Sequence, residues 1–460
     1  MPENSPPTGR VVRSNAWAIT TFLFLLLVTA RVQAQYNILS QHPVSNRPYP
    51  SAYYNQQLPN AGAGGPLNHL MPNSPNIVNT VMKNGGSSLV TGAGAWNSPG
   101  SDDGQHKPLY YGQASDPVYQ LAGCASPMSG LNGIKFHAPS GAQFNQGSFD
   151  KEIVIWDQTT NRTIGLFGGT CTSSSCYALP PSSGTLASPT SFTVNGGYCS
   201  ADNWTSGQGV GGGDAVSTAG ISPFGNIIRL TEILTVGHIN HGLRGVTTCV
   251  DTNNGLYPSR LVFPANQPGG APANTCANAG VSSTNRPPNG ALFFLDYTQA
   301  QLDCFDPSKP SCSGINKLAS WQFMLIEAAT LYGITIEDTG NGSSISLPGI
   351  ESEQAYYFYD SHGYPGSKAV ADQFTNYMNS HCSGAACSIV TRSAPHSLVQ
   401  WNINAWAGIS LVNGGDVISH MHVADPCVAM GLQGLAGGCA SPGPKASAPD
   451  APTGLTATVQ

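Results

Sequence analysis

Charged residues are scarce in this chain: only 9% of its 460 residues are Asp, Glu, Lys or Arg. Typical soluble domains carry about a quarter charged residues. The net charge of −6 supplies no basic surface, so we expect no nucleic-acid partner. Together with 54 Gly and 35 Pro, the scarcity of charge indicates a secreted, turn-rich β protein.

Two further absences exclude nucleotide binding and structural zinc. No glycine-rich phosphate loop precedes either helical pattern, and no Cys-x-x-Cys pair occurs among the 12 cysteines. The even cysteine count favours disulfides formed in an oxidising compartment. Sequence cannot fix connectivity, but proximity predicts the pairs Cys124/Cys199, Cys171/Cys176, Cys249/Cys276, Cys304/Cys312, Cys382/Cys387 and Cys427/Cys439.

A long apolar run occurs only near the start of the chain, where residues 1–34 resemble a secretory signal. Arg10 and Arg13 precede the apolar stretch 16–30, and Ala34 ends a small-residue cleavage pattern. A single-pass anchor is the alternative, but the run is shorter than the roughly 20 residues of a spanning helix. We therefore expect an extracellular or periplasmic protein that leaves the membrane after cleavage.

The rest of the chain divides by composition. Residues 35–120 are rich in Pro, Gly and Asn, which predicts an irregular N-terminal arm packed over a later domain. Residues 121–440 predict a mainly β domain, an antiparallel β-sandwich of the jelly-roll or concanavalin-like kind. Helical patterns at 315–332 and 367–380 would cover it. Residues 441–460 form a linker and a tail similar to a first fibronectin type III strand. The strand candidates are 151–157, 163–167, 227–230, 238–248, 259–263, 291–297, 334–338 and 397–411.

The segment 224–248 places a cation, a carboxylate and two imidazoles among aliphatic residues. If 235–238 connects a hairpin, Glu232 and His241 lie opposite one another, and the carboxylate can orient the imidazole as a general acid or base. The structural alternative is that Thr231 caps a short turn containing Glu232, with His241 a satisfied buried histidine.

The side chains around this pair are candidates for binding substrate. Period-two alternation along the predicted strand puts His241 on one face and its polar neighbours on the other. The candidates for substrate binding are Arg229, His238, Asn240 and Arg244.

Residues 224–243, together with 257–265, 290–296 and 329–340, resemble a group of secreted bacterial proteins common in actinomycetes. The group is marked by Glu-Ile, a turn, then Gly-x-Ile-Asp-His-Ala-Leu, and later Tyr-Gly and Asp-x-Gly. The matching residues are His241, Asp296, Tyr332 and Asp338, whereas Asn240 and Gly242 replace the usual Asp and Ala. The resemblance implies a site at these residues but no particular reaction, and Asn240 disfavours any mechanism that needs a carboxylate there.

Other carboxylates lie near apolar runs. Asp296 and Asp338 each end an apolar strand, where an Asp either forms a turn or serves a site. Two carboxylates about 5–10 Å apart would suit glycoside hydrolysis. Glu327 falls within a predicted helix, and Glu337 is expected to point to solvent.

The pair His420 and His422 places two imidazoles on one strand face, a spacing that can chelate a metal. No third ligand can be assigned from the sequence, and such pairs are often polar strand faces. We therefore predict no metal and no cofactor.

Aromatic and polar residues of the later loops form a candidate sugar-binding surface, because flat rings stack on the apolar faces of sugars. Its members are Tyr357, Tyr359, His362 and Trp401. Core packing is the alternative and is the better interpretation of Trp156 and Trp321.

These observations predict a secreted enzyme acting on an extracellular polysaccharide by a lyase-like reaction. His241 would be the base, Tyr332 or a tyrosine of 356–364 the acid, and Arg229 or Asn240 would neutralise a uronate carboxyl. The alternatives are a hydrolase using Glu232 with Asp296 or Asp338, a non-catalytic glycan-binding or cell-surface protein, and a metal-dependent oxidative protein built on His420 and His422.

Overall fold

The computed structural model describes residues 52–83, 109–124, 128–142, 144, 152–167, 179–194, 198–203, 217, 219–229, 232–247, 249–251, 261–265, 280–339, 349–350, 377, 380–381, 387–391, 399–403 and 417–432. The strands are β1 Leu109–Gly112, β2 Val118–Ala122, β3 Lys135–His137, β4 Glu152–Asp157, β5 Arg162–Phe167, β6 Thr190–Thr193, β7 Tyr198–Asn203, β8 Leu243–Thr247, β9 Leu292–Leu295, β10 Ile334–Thr339, β11 Gly349–Ile350, β12 Cys387–Thr391, β13 Val399–Ile403 and β14 Met421–Ala424. The α-helices are α1 Ser74–Lys83, α2 Gln299–Phe305, α3 Ser320–Leu331 and α4 Pro426–Ala429.

The strands form mixed sheets, and the described residues are mainly β with few helices. The largest sheet has the order β11-β8-β10-β9-β14, and a second has the order β1-β4-β5-β7. Smaller sheets are β3-β2-β6 and β12-β13. The predicted all-antiparallel pairing is wrong, because β1 pairs with β4, β8 with β10 and β2 with β6 in parallel. Parallel partners need long crossover connections, which local strand patterns do not reveal.

Several strand predictions are confirmed. The hairpin predicted at 151–157 and 163–167 is β4 paired with β5, and its turn contains Asn161 in the left-handed region, with φ 54°. The candidates 291–297 and 334–338 correspond to β9 and β10. Asn tolerates the left-handed conformation better than most residues, so the turn residue and the strand pattern agree.

Other strand boundaries are wrong. In the described parts of the candidates 227–230 and 259–263, residues 227–229 and 261–263, there are only isolated bridge positions, and the described part of 238–248 is strand only over β8. In the candidate 397–411 the described strand is β13. Short apolar runs are ambiguous between strand and buried loop, and among the described residues Ile227, Ile228 and Val262 are buried outside any named strand.

The helix predicted at 315–332 is confirmed over Ser320–Leu331, which is α3, whereas residues 315–319 are not helical. Gly333, with φ 82°, follows it, and its N–H donates to the carbonyl oxygen of Ala328 at 3.1 Å. This left-handed glycine ends the helix as predicted. Most of α3 is buried, so it is a core helix rather than an amphipathic cover. The second predicted helix, 367–380, lies almost wholly outside the described residues.

The N-terminal region is more regular than predicted. It contains α1 and β1, and β2 runs across residue 120. Residues 52–71 make backbone hydrogen bonds to the largest sheet and to the residue before β8. The N–H of Gly242, which precedes β8, donates to the carbonyl oxygen of Tyr54 at 2.5 Å. The N–H of Met71 donates to the carbonyl oxygen of Val423 in β14 at 2.8 Å.

Two predicted disulfides are confirmed, Cys124–Cys199 and Cys304–Cys312. Cys249 and Cys427 are also disulfide-bonded, and their predicted partners lie outside the described residues. In the part of the chain that the structure describes, no helix is both long and apolar enough to cross a membrane.

The two faces of the largest sheet differ, and this difference positions the site. Phe293 and Leu295 of β9 point into the main core, where α3 packs against β9. Leu292 and Phe294 point to the opposite face, where they meet a smaller cluster that includes Leu58. Asp296 continues the alternation and belongs to the second face.

Candidate active site

Several predicted site residues lie at one end of the largest sheet. In its register Leu243 pairs with Ile334, Ile334 with Phe293, and Leu295 with Met421. His241 and Tyr332 therefore precede β8 and β10 at the end where Asp296 follows β9 and His420 precedes β14. The topology brings these four residues to one end of the sheet, although they are far apart in sequence.

A partly exposed polar cluster at this end of the sheet, the Asp296 cluster, is formed by Asp296, His420 and His422. Oδ1 of Asp296 lies 2.5 Å from Nδ1 of His420, and Oδ2 lies 2.9 Å from Nε2 of His422. The three side chains are 20%, 20% and 19% exposed. One carboxylate therefore holds two imidazoles at a surface that a ligand can reach.

Aromatic rings fix both imidazoles. The ring of His420 stacks on buried Tyr297 with a centroid distance of 4.4 Å. The ring of His422 lies 5.5 Å from that of Phe294, its cross-strand partner. These contacts and the shared carboxylate restrict rotation of both side chains.

The protonation of the cluster follows from its hydrogen bonds. Partial burial alone would raise the pKa of Asp296, but hydrogen bonds and charge from His420 and His422 outweigh it and lower the pKa to about 2. An ionised carboxylate only accepts hydrogen bonds, so Nδ1–H of His420 and Nε2–H of His422 donate to it. Nε2 of His420 and Nδ1 of His422 are then the nitrogens left for chemistry.

Asp296 is the third group that sequence could not place beside the two histidines. It contacts both imidazoles at hydrogen-bond distances. Within the described ranges, no group of three or more His, Cys, Asp and Glu side chains is arranged to hold a metal ion. The arrangement suits proton transfer, with a carboxylate that orients two imidazoles.

Glu232 and His241 come together as predicted, but in a different way. Glu232–Val236 is a π-helical turn, and the N–H of Gly237 donates to the carbonyl oxygen of Glu232 at 2.8 Å. The predicted hairpin is therefore wrong. Nε2 of His241 lies 3.1 Å from Oε2 of Glu232, and Nη2 of Arg229 donates to Oε1 at 2.7 Å.

This second cluster is closed to solvent. The side chains of Arg229, Glu232 and His241 are 4% exposed or less. Burial alone would raise the pKa of Glu232, but the charges of Arg229 and His241 and their hydrogen bonds hold it far below its usual range. The geometry is that of a satisfied buried ion cluster, the structural alternative for His241.

Arg244 and Glu337 form another buried ion pair on the same sheet. Nε of Arg244 lies 3.5 Å from Oε2 of Glu337, and both side chains are fully buried. The amide of Asn226 also donates to Glu337. The expectation that Glu337 points to solvent is wrong, and Arg244 lies inside the protein rather than at a substrate-binding surface.

The structure gives positions for only some of the remaining predicted residues. His238 is 51% exposed and its Nδ1 lies 2.7 Å from Oε2 of Glu327, Asn240 is partly exposed, and Tyr332 is buried. The structure gives Asp338 and Trp401 only strand positions, beside Val246 and Ile389. Tyr357, Tyr359 and His362 lie outside the described residues.

No family model, curated protein or solved structure matches this chain. The resemblance of residues 224–243 to a group of secreted bacterial proteins therefore stays a prediction.

A third polar cluster was missed by the sequence analysis. Asp157 ends β4, and its carboxylate accepts hydrogen bonds from Thr159, Thr160 and His137. Nδ1 of His137 lies 3.1 Å from Oδ2 of Asp157. The signal was a strand-ending Asp with threonines two and three residues later, which is typical of a side chain that closes a turn. Both oxygens of Asp157 are satisfied locally, so this cluster is structural.

Asp116, which interacts electrostatically with both His137 and Asp157, provides a stability prediction. Burial raises its pKa to about 6, and the charge of Asp157 adds to this, against a hydrogen bond from Gln113 and the charge of His137. Because the folded pKa exceeds the ordinary 3.8, stability from protonated Asp116 is complete below that value and is lost as pH rises through about 6. Asp116→Asn should therefore raise the free energy of unfolding by roughly 2–3 kcal/mol at pH 8, measured by urea denaturation.

The gain should shrink towards zero near pH 4, because the wild-type carboxyl is then protonated in the folded protein. Asp303→Asn on α2, where the carboxylate is partly exposed, is the matched control and should show no such pH dependence. A gain of equal size at both pH values would contradict the assignment to Asp116 ionisation.

Proposed function

We propose that this protein is a secreted enzyme that cleaves an acidic glycan by β-elimination, with His420 and His422 as the proton-transfer groups and Asp296 as their orienter. The observation that carries the proposal is a single ionised carboxylate bonded to two partly exposed imidazoles. General acid and base catalysis needs such groups within reach of the substrate.

The chemistry balances with one neutral and one protonated imidazole. The neutral ring removes the proton from C5 of a uronate unit, and a C4–C5 double bond forms as the C4–O4 bond breaks. The protonated ring donates its proton to the departing O4. After product release, proton exchange with water restores the starting state.

The geometry supports elimination over hydrolysis with paired carboxylates. Hydrolysis needs one protonated carboxyl and a second carboxylate acting on the sugar. Both oxygens of Asp296 are occupied by imidazoles, and its pKa is low. Glu232 is buried against Arg229. Neither carboxyl is placed to act as the acid of a hydrolase.

In this proposal His420 and His422 replace His241 as the base and Tyr332 as the acid. Arg229 also loses its predicted role of neutralising a uronate, because its guanidinium is hydrogen-bonded to Glu232 inside the protein. Asn240 keeps its predicted role in substrate binding, because it is partly exposed.

The glycan and the compartment are supported by the sequence. The signal-like segment 1–34 and the scarcity of charge favour an extracellular protein, and two disulfides are compatible with that. We also propose that the two larger sheets form the layers of a sandwich. One hydrophobic cluster contains residues of both, including Ile155 and Phe293.

The test is to incubate the mature protein with a panel of acidic and neutral polysaccharides. Ultraviolet absorbance of unsaturated uronides and reducing ends are followed in the same samples. Both signals should rise together on an acidic glycan. Reducing ends without absorbance would overturn elimination in favour of hydrolysis, and retention on a glycan without turnover would favour the non-catalytic binding protein.

A further inference from the structure

The segment 62–71, which we call the arch, spans the second face of the largest sheet beside the Asp296 cluster. At its start, Gly62 and Ala63 bridge to Thr298, two residues after Asp296. At its end, Leu70 bridges to Ala424, and the N–H of Met71 donates to Val423, next to His422. The arch therefore has one attachment on each side of the cluster.

Between these attachments the arch packs closely on the site. A Cβ atom on Gly65 would lie 2.8 Å from the ring of Phe294, and Gly65 has φ 69°. Only glycine allows both the left-handed backbone and this close approach. Phe294 in turn contacts the ring of His422, so the ring of Phe294 lies between the arch and His422.

The arch also carries unusual apolar exposure. Leu67 is 45% exposed. Among the large apolar side chains of the described ranges, the other exposed one is Leu186, at 56%. Cδ1 of Leu67 lies 3.7 Å from the position of a Cβ atom on Gly64, so the side chain lies against that glycine. Asn68, also exposed, adds an amide beside it.

We propose that the arch is the specificity-determining wall of the active site, with Leu67 packing on the apolar face of a sugar ring next to the unit that is cleaved. The proposal rests on the proposed function at Asp296, His420 and His422. The arch then contributes to substrate binding as well as covering one face of the sheet.

The kinetic test compares Leu67→Ser with Leu186→Ser on the glycan cleaved by the wild-type protein. Loss of the leucine surface should raise KM about tenfold while kcat stays within about twofold, because Leu67 touches no reacting group. Leu186→Ser should match the wild type. Equal changes in KM for the two variants, or none for Leu67→Ser, would overturn the specificity role.

A second test needs no turnover and so separates failure of the arch from failure of the proposed function. Wild type and Gly65→Val are treated with diethyl pyrocarbonate, and modification of each histidine is followed by mass spectrometry. Displacing the arch should speed modification of His422 severalfold and leave exposed His238 unchanged. An unaltered rate at His422 in a folded variant would break the link between the arch and the site.

Buried His241 reports on folding in this experiment. If it reacts, Gly65→Val has unfolded, and Gly65→Ala, with its smaller side chain, replaces it. Faster labelling of His422 without any glycan turnover would show that the arch covers His422, while overturning both the proposed reaction and the sugar-binding role of Leu67.

Discussion

Asp296→Asn is expected to lower kcat/KM on the cleaved glycan by a factor of about 10² to 10⁴. An amide has only one acceptor oxygen, so its nitrogen end faces one imidazole N–H and that ring loses its orientation and tautomer. The rate is measured from the initial rise in absorbance of unsaturated product. His420→Gln and His422→Gln should show losses of the same order, because each removes one partner of the proton transfer.

The matched control is Asp303→Asn, another change from carboxylate to amide on a partly exposed side chain. Asp303 accepts a hydrogen bond from Gln299 within α2 and should keep wild-type kinetics. Urea denaturation of each variant separates lost chemistry from lost structure. Wild-type turnover by either histidine variant would place the reaction elsewhere in the protein.

Local patterns predicted the elements whose stability is local. The β4–β5 hairpin is set by a short polar turn between two apolar strands, and α3 ends at a glycine that can adopt positive φ. Both signals lie within a few residues of what they determine. The parallel pairs β1–β4, β2–β6 and β8–β10 depend on long connections, and nothing in the strands themselves specifies those partners.

The candidate site illustrates the same limit. Asp296 and the pair His420 and His422 were each singled out by sequence, as a strand-ending carboxylate and as two imidazoles on one strand face. Their meeting depends on β9 and β14 being neighbours, across more than a hundred residues of chain. Sequence could supply the parts of this cluster, but only the sheet order assembles it.

The segment around Glu232 and His241 shows a different kind of error. Their proximity was predicted correctly from a separation of nine residues, yet the path between them is a π-helical turn and not a hairpin. Aliphatic neighbours such as Ile233 and Ile239 are buried. The apolar surroundings that predicted a site instead enclose polar groups that satisfy one another by hydrogen bonds, as most buried polar groups do.

Glu232→Gln is accordingly expected to lower the free energy of unfolding by about 3–5 kcal/mol, with little effect on kcat of the folded fraction. The substitution leaves the guanidinium of Arg229 buried without its counter-charge. The measurement is urea denaturation at neutral pH. Glu327→Gln is the matched control, because its partner His238 is largely exposed, and an exposed pair contributes only about 0–1 kcal/mol.

The pH dependence of this loss follows from the lowered pKa of Glu232. Since the folded pKa lies below the ordinary 4.5, the carboxylate contributes its full stability above that pH and loses it as the pH falls further. The difference between wild type and Glu232→Gln should therefore narrow between pH 7 and pH 3. A variant with wild-type stability and no turnover would instead make Glu232 catalytic, as the sequence alone predicted, and would return the active site from β9 and β14 to the segment before β8.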